Sequence, residues 1–207
     1  MKRALFLSAA VAVGLSLAAC QKTDQQPSAA DPGTGNDAVN AAQDATSAAV
    51  GATSAATVGQ MSTDAFVTNA AISDMYEIQA GEIAQKKGQS ADVKAFGKMM
   101  VTDHTAMANE MKPLIAAAGK TAPTGLDERR KGLIDNLNAA APAEFDQVYL
   151  SQQEAAHSEA LTLMQGYAEK GDDLGFKAAA SKAVPKVQAH LDRVKQLQAA
   201  PAAPAKK

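Results

Sequence analysis

The chain has no tryptophan, and aromatic residues make up only 4 % of it. That leaves few of the flat, β-favouring side chains on which a sheet core is usually built, and favours helices that pack closely through small residues. There is one cysteine, so no disulfide can form within the chain. Charge of either sign is not in surplus: the formal net charge is −2. A polyanion interface needs a basic excess, so nucleic-acid binding is excluded on that ground. Also missing are a Gly-rich phosphate loop, paired zinc-ribbon cysteines and a Gly-x-Ser-x-Gly elbow. What is present is alanine, which supplies much of the 46 % hydrophobic content. The 207 residues suffice for one domain of ordinary size plus extensions.

The beginning of the chain reads as an export signal. Lys2 and Arg3 are followed by an apolar stretch from Ala4 to Ala19, too short for a comfortable membrane span. It ends in Leu17-Ala18-Ala19-Cys20, which resembles the bacterial lipoprotein cleavage box. The resemblance implies removal of residues 1–19 and lipidation of Cys20, the lone cysteine, so that acyl chains hold the protein on a membrane. Gln21 after the cysteine, by likeness to Gram-negative sorting, implies the periplasmic face of the outer membrane.

Residues 20–61 are rich in Ala, Ser, Thr, Gly, Asp and Pro, with almost nothing to bury, and are expected to form a flexible tether. Residues 200–207 are expected to be a disordered tail. The span 62–199 between them carries four long helical patterns. The first runs from a cap at Ser62 or Thr63 to Lys87, with Phe66, Ala70, Ile72, Tyr76, Ala80, Ile83 and Ala84 inward and Asp74 outward. The second runs from Ser90 to Ala118, with Val93, Phe96, Met100, His104, Met107, Met111 and Leu114 at steps of three and four. The third follows Pro142 to Lys170, and the fourth runs from near Asp173 to Gln198. Pro113 and Pro185 should kink their helices without ending them. Residues 126–139 read as a short extra helix between the second and third, its run from Asp127 to Lys131 a solvated face. The expected fold is therefore all-α, a four-helix bundle with one short additional helix.

His104, His157 and His190, the chain's three histidines, fall on three different helices, each on the apolar side and near mid-length. Glu77 lies at the margin of the first helix's stripe, also near the middle. In a bundle the midpoints meet, so three imidazoles and a carboxylate converge at one depth. Such a set suits one Zn, Cu or Fe ion. The other reading stays open: each histidine is a core residue with its own hydrogen-bond partner. Met100, beside His104 on its stripe, is a soft secondary candidate or adaptable core filler.

The segments Phe66-Val-Thr-Asn-Ala-Ala, Met99-Met-Val-Thr-Asp-His104, Phe145-Asp-Gln-Val-Tyr149, Ala155-Ala-His157 and Val184-Pro185…His190-Leu191 resemble the bacterial domain-of-unknown-function family numbered 4142, over residues 62–198. The resemblance implies an exported outer-membrane protein with a ferritin-like fold. It does not carry iron chemistry with it. A ferritin-like di-iron centre uses two Glu-x-x-His pairs and two further Glu. Here there is one such pair, Glu154 with His157, while Asp103 sits next to His104 and the two cannot share one face. A di-iron enzyme is thus the weakest expectation, and no catalytic residue is assigned. Metal binding in the core and a structural or partner-binding envelope module are the two stronger ones; the sequence names no protein partner.

Overall fold

The computed structural model describes residues 62–199. The export signal, Cys20, the tether and the tail lie outside the described residues. Among those described there are five helices and no strand: α1 Thr63–Lys87, α2 Ala91–Ala117, α3 Glu128–Ala139, α4 Pro142–Lys170 and α5 Leu174–Ala199. The chain is all-α, with the short α3 where an extra helix is expected.

Helix ends follow local chemistry. Ser62, Ser90 and Asp127 each accept a backbone N–H in the first turn of α1, α2 and α3. Pro142 opens α4, where its missing N–H costs nothing. α2 stops at Gly119, whose φ of +62° is a left-handed value that disfavours a Cβ. The bond from Lys120 N–H to the Ile115 carbonyl completes the stop. Helical structure runs through both Pro113 and Pro185.

Short links make α1 pack on α2 and α4 on α5; α1 also meets α4, α2 meets α5, and α3 rests against α1 and α4. The apolar interior falls into two clusters. One holds Phe96, Phe145, Tyr149, Val194 and Leu197 with Tyr76 and Ala84. The other holds Phe66, Tyr167, Phe176, Met164 and Val187. Each long helix contributes to both, with polar residues between its two contributions. On α1 this is Asp74, with Glu77 just past Tyr76; on α2 it is His104, on α4 Gln153 and His157, and on α5 His190. The order of the clusters along each helix sets direction: α1 and α5 run one way, α2 and α4 the other. The α2–α4 connection, carrying α3, therefore returns along the molecule's length.

One crossing sets the register of the middle. Gly81 on α1 and Gly97 on α2 face each other so closely that an added Cβ on either would lie 2.6–2.8 Å from the other's carbonyl oxygen. Asp74 lies seven residues before Gly81, and His104 seven after Gly97. On antiparallel helices, two turns from such a contact, those two side chains meet.

Two surface expectations change. Asp74, placed on the wet side, is 5 % exposed. Arg130 is buried as well: it grips Asp127 and Glu159, and Arg129 shares Glu159. The charged run of α3 is thus partly a clamp onto α4.

Candidate metal centre

The three histidines come together. Their ring centroids are 5.7 Å apart for His104 and His157, 5.5 Å for His104 and His190, and 5.3 Å for His157 and His190. All three are at most 3 % exposed. One nitrogen from each ring lies within 4.8 Å of the others'. A point then exists within about 2.8 Å of all three, against the ~2.0–2.1 Å of a metal–imidazole bond, so closing on an ion asks each ring to move less than an ångström.

Each ring is oriented by its other nitrogen. His104 Nδ1 bonds Asp74 Oδ1 at 2.8 Å. His157 Nδ1 donates to the Gln153 carbonyl one turn back on its own helix, also at 2.8 Å. His190 Nε2 bonds Asp103 Oδ2 at 2.9 Å, and Lys186 holds the second oxygen of that carboxylate. Carboxylates and carbonyls accept, so the proton sits on the bonded nitrogen of each ring. The remaining nitrogens, His104 Nε2, His157 Nε2 and His190 Nδ1, are lone-pair acceptors. They are buried and have no hydrogen-bond partner. Three acceptors cannot satisfy one another. A cation can satisfy all three, and the anchoring partners are those that fix ligand tautomers around metals.

Electrostatics keeps two rings in the neutral form a metal needs. Burial, then the neighbouring charges of His104 and His190, push His157 down to about 3. Burial also lowers His190, and the bond to Asp103 only partly offsets this. His104 is the exception. Burial opposes its charge, but the Asp74 bond and the Glu77 and Asp103 carboxylates outweigh that and raise it. Asp74 is itself raised, by burial more than His104 lowers it. A proton on His104 is thus the natural competitor of an ion.

The remaining sequence candidates fall around the triad. Glu77 is buried but outside the ligating group of three. Its Oε2 accepts from Gln153 Nε2 at 2.7 Å, and its Oε1 is 3.9 Å from His157 Nδ1, the proton-bearing side of that ring. Burial raises its carboxyl to about 7. Asp103 anchors His190 rather than facing the other rings. It and His104, adjacent in sequence, thus reach different helices, as adjacent residues must. Glu154 is half-buried and outside the group. Met100 is fully buried in the Phe96–Phe145 cluster. Sequence reasoning missed Asp74 and Gln153. Asp74 had a signal: it lies four residues after Ala70 and three before Glu77, on one helical face with both.

A family described as a domain of unknown function, DUF4142, matches residues 45–197. The match begins inside the span read as tether and covers all five helices but the last residues of α5. No curated protein and no solved structure matches the chain.

Proposed function

The chain belongs to the DUF4142 family, and we propose that it binds one transition-metal ion in its core. The ligands are His104, His157 and His190, and the ion is Zn, Cu or Fe. One observation carries the reading: three buried ring nitrogens with lone pairs and no hydrogen-bond donor, on rings already oriented by Asp74, Gln153 and Asp103. Leaving a buried polar atom unpaired costs ~1–3 kcal/mol, so three at one place call for a shared partner. Glu77 orients the surroundings of His157 in place of ligating. Three nitrogen ligands leave a fourth position for an exogenous group, the pattern of open rather than purely structural sites. The helix directions, with one long return between α2 and α4, support reading the fold as a ferritin-like four-helix bundle with a mononuclear site in place of the di-iron one.

Elemental analysis of the full chain after exposure to Zn, Cu and Fe and desalting tests this. One metal per chain is expected, and the double variant His157→Leu/His190→Leu should retain none while staying helical. Unchanged stoichiometry in that variant, or no retention by the parent, would sink the proposal. Asp74→Asn keeps a hydrogen-bond acceptor but not the charge, and should weaken binding ~10–100-fold.

The setting we propose is a lipid-anchored one, through Cys20, on the periplasmic face of the outer membrane. The box at residues 17–20 supports it. No described helix is long and apolar enough to cross a membrane. Labelled palmitate should enter the protein in a Gram-negative host and fail to enter Cys20→Ser; equal labelling of both would overturn the anchor.

A further inference from the structure

Against Asp74, the partner of His104, lies a cavity of about 80 Å³ between α2 and α5. Its size alone is several times what one water needs. Met107 and Met111, one turn apart on α2, line it together with Met164 of α4. Asp74, the anchor of His104, lines it too and is 5 % exposed. Nearer solvent, the ion pair between Lys182 of α5 and Glu110 of α2 joins the two helices across it. Ala106 and Ala183 stand on the α2 and α5 walls, where a larger apolar residue would have closed the gap.

Apart from Phe66, four alanines and the charged groups Glu110, Lys182 and Lys186, the lining consists of three thioethers and Asp74. Three thioethers are the softest ligands a protein has besides thiolate, and they discriminate against hard and borderline divalent ions. Asp74 adds a buried carboxylate, while the two lysines of the lining are already paired, Lys182 with Glu110 and Lys186 with Asp103. We propose that this cavity is a second metal site, for a soft monovalent cation of the Cu(I) class, held by Met107, Met111 and Met164 with Asp74 behind them. It is separate from the histidine triad, which offers only nitrogen, and meets its anchoring groups at Asp74 and at Lys186, which holds Asp103. Of the eight methionines, Met75, Met99 and Met100 lie among the described residues but not on the cavity, and serve as internal controls. Binding needs no electron transfer, so a redox-inert ion of the same class reports it.

The probe is Ag(I), added to full chain carrying Cys20→Ser to remove its one thiol, with methionine methyl groups labelled with carbon-13. The chain is first saturated with Zn(II) to fill the histidines. The methyl signals of Met107, Met111 and Met164 are expected to shift together and saturate at one added Ag(I), while those of Met75, Met99 and Met100 stay. The volume-conserving variant Met107→Leu/Met111→Leu/Met164→Leu should lose at least about tenfold in Ag(I) affinity while retaining Zn(II). Met111→Leu alone, at a half-buried position, gives the same direction should the triple variant unfold. Absence of shifts at the three cavity methyls, or unchanged Ag(I) affinity in a folded variant, would overturn the site. If the chain takes up no Zn(II), zinc is ruled out as the histidines' ion; the methyl shifts still decide this site in the zinc-free chain.

Discussion

At the two ends of the long helices, aromatic rings close the interior. Phe66 stacks on Tyr167 at 4.0 Å with Phe176 edge-on, and Phe145 stacks on Tyr149 with Phe96 edge-on to the same tyrosine. The layer between them is built the opposite way. There a carboxylate, an amide, a second carboxylate and three imidazoles take core positions, each polar group half satisfied within the layer or from its own helix. The ends are held chiefly by apolar burial, which is non-directional, with the buried Tyr149 hydroxyl left without a partner. The middle is complete only with something added, because its unmet nitrogens all accept. The contrast teaches where stability resides and where function does: the ends hold the helices in register so that the middle can stay polar.

The contrast breaks most visibly where one partner of a pair is removed. Phe66→Ala should cost ~3–5 kcal/mol in metal-free protein, the ordinary toll of a buried aromatic cavity. In the middle, His104→Leu should cost a similar ~3–5 kcal/mol for a different reason: it strands the buried Asp74 carboxylate. Chemical denaturation of both variants checks this. The two are told apart by Asp74→Leu/His104→Leu, which should recover most of the second loss and has no counterpart at the ends. Failure to recover would mean the middle packs like the ends.

Acid sharpens the same comparison, since the ends carry nothing that titrates near neutrality. His157 is surrounded by His104 on α2, His190 on α5 and Glu77 on α1. Its folded value, about 3, lies below the 6.5 of the free imidazole. Above both values neither state holds the proton. Between them the unfolded chain binds a proton that the folded chain does not, so stability falls as pH drops from about 6.5 toward 3. The slope approaches ~1.4 kcal/mol per pH unit. Glu77 runs the other way: raised from 4.5 to about 7, it contributes stability below 4.5 that is lost as pH rises through 7. Comparing parent and His157→Leu isolates the imidazole. The variant should gain on the parent steadily as pH is lowered from 7 to 4.5, by urea midpoint. Parallel pH profiles would mean that His157 is not held neutral by its surroundings.

Much of this arrangement was legible in the residue pattern. Periods of three and four, Ser62 and Ser90 as caps and Pro142 as an opener placed the helices to within a residue or two. The convergence of His104, His157 and His190 followed from their mid-helix positions, because helices of similar length that pack side by side share their midpoints. Asp74 was not legible as an inward residue, because a lone aspartate on an amphipathic helix ordinarily faces water. Its burial depends on the Gly81–Gly97 approach, a contact between segments that no local pattern reports. Glu77 is buried at the depth of the histidines, with its Oε1 toward the proton-bearing Nδ1 of His157. Periodicity fixes which face a residue occupies but not which side of a neighbouring ring its oxygens meet. Arg130 was misjudged for a related cause: its partner Glu159 lies on α4, beyond the reach of any pattern within α3.

The smallest effect separates the histidines from one another. At neutral pH, in metal-free protein, His157→Leu should change stability by no more than about 1 kcal/mol, toward neutral or stabilising. Its Nδ1 bonds a carbonyl of its own helix, so its removal strands no charge, and its Nε2 had no partner to lose. Leucine fills much of the same volume beside Phe96, whose ring lies 6.3 Å from the imidazole. With metal bound, the parent should instead be the more stable protein, by an amount that grows with free metal concentration, since a ligand that binds only the folded chain stabilises by mass action. The sign change between the two conditions is the measurement, read as melting temperature with metal and with chelator. A histidine kept only for packing would give one sign in both; a histidine kept for an ion reverses it.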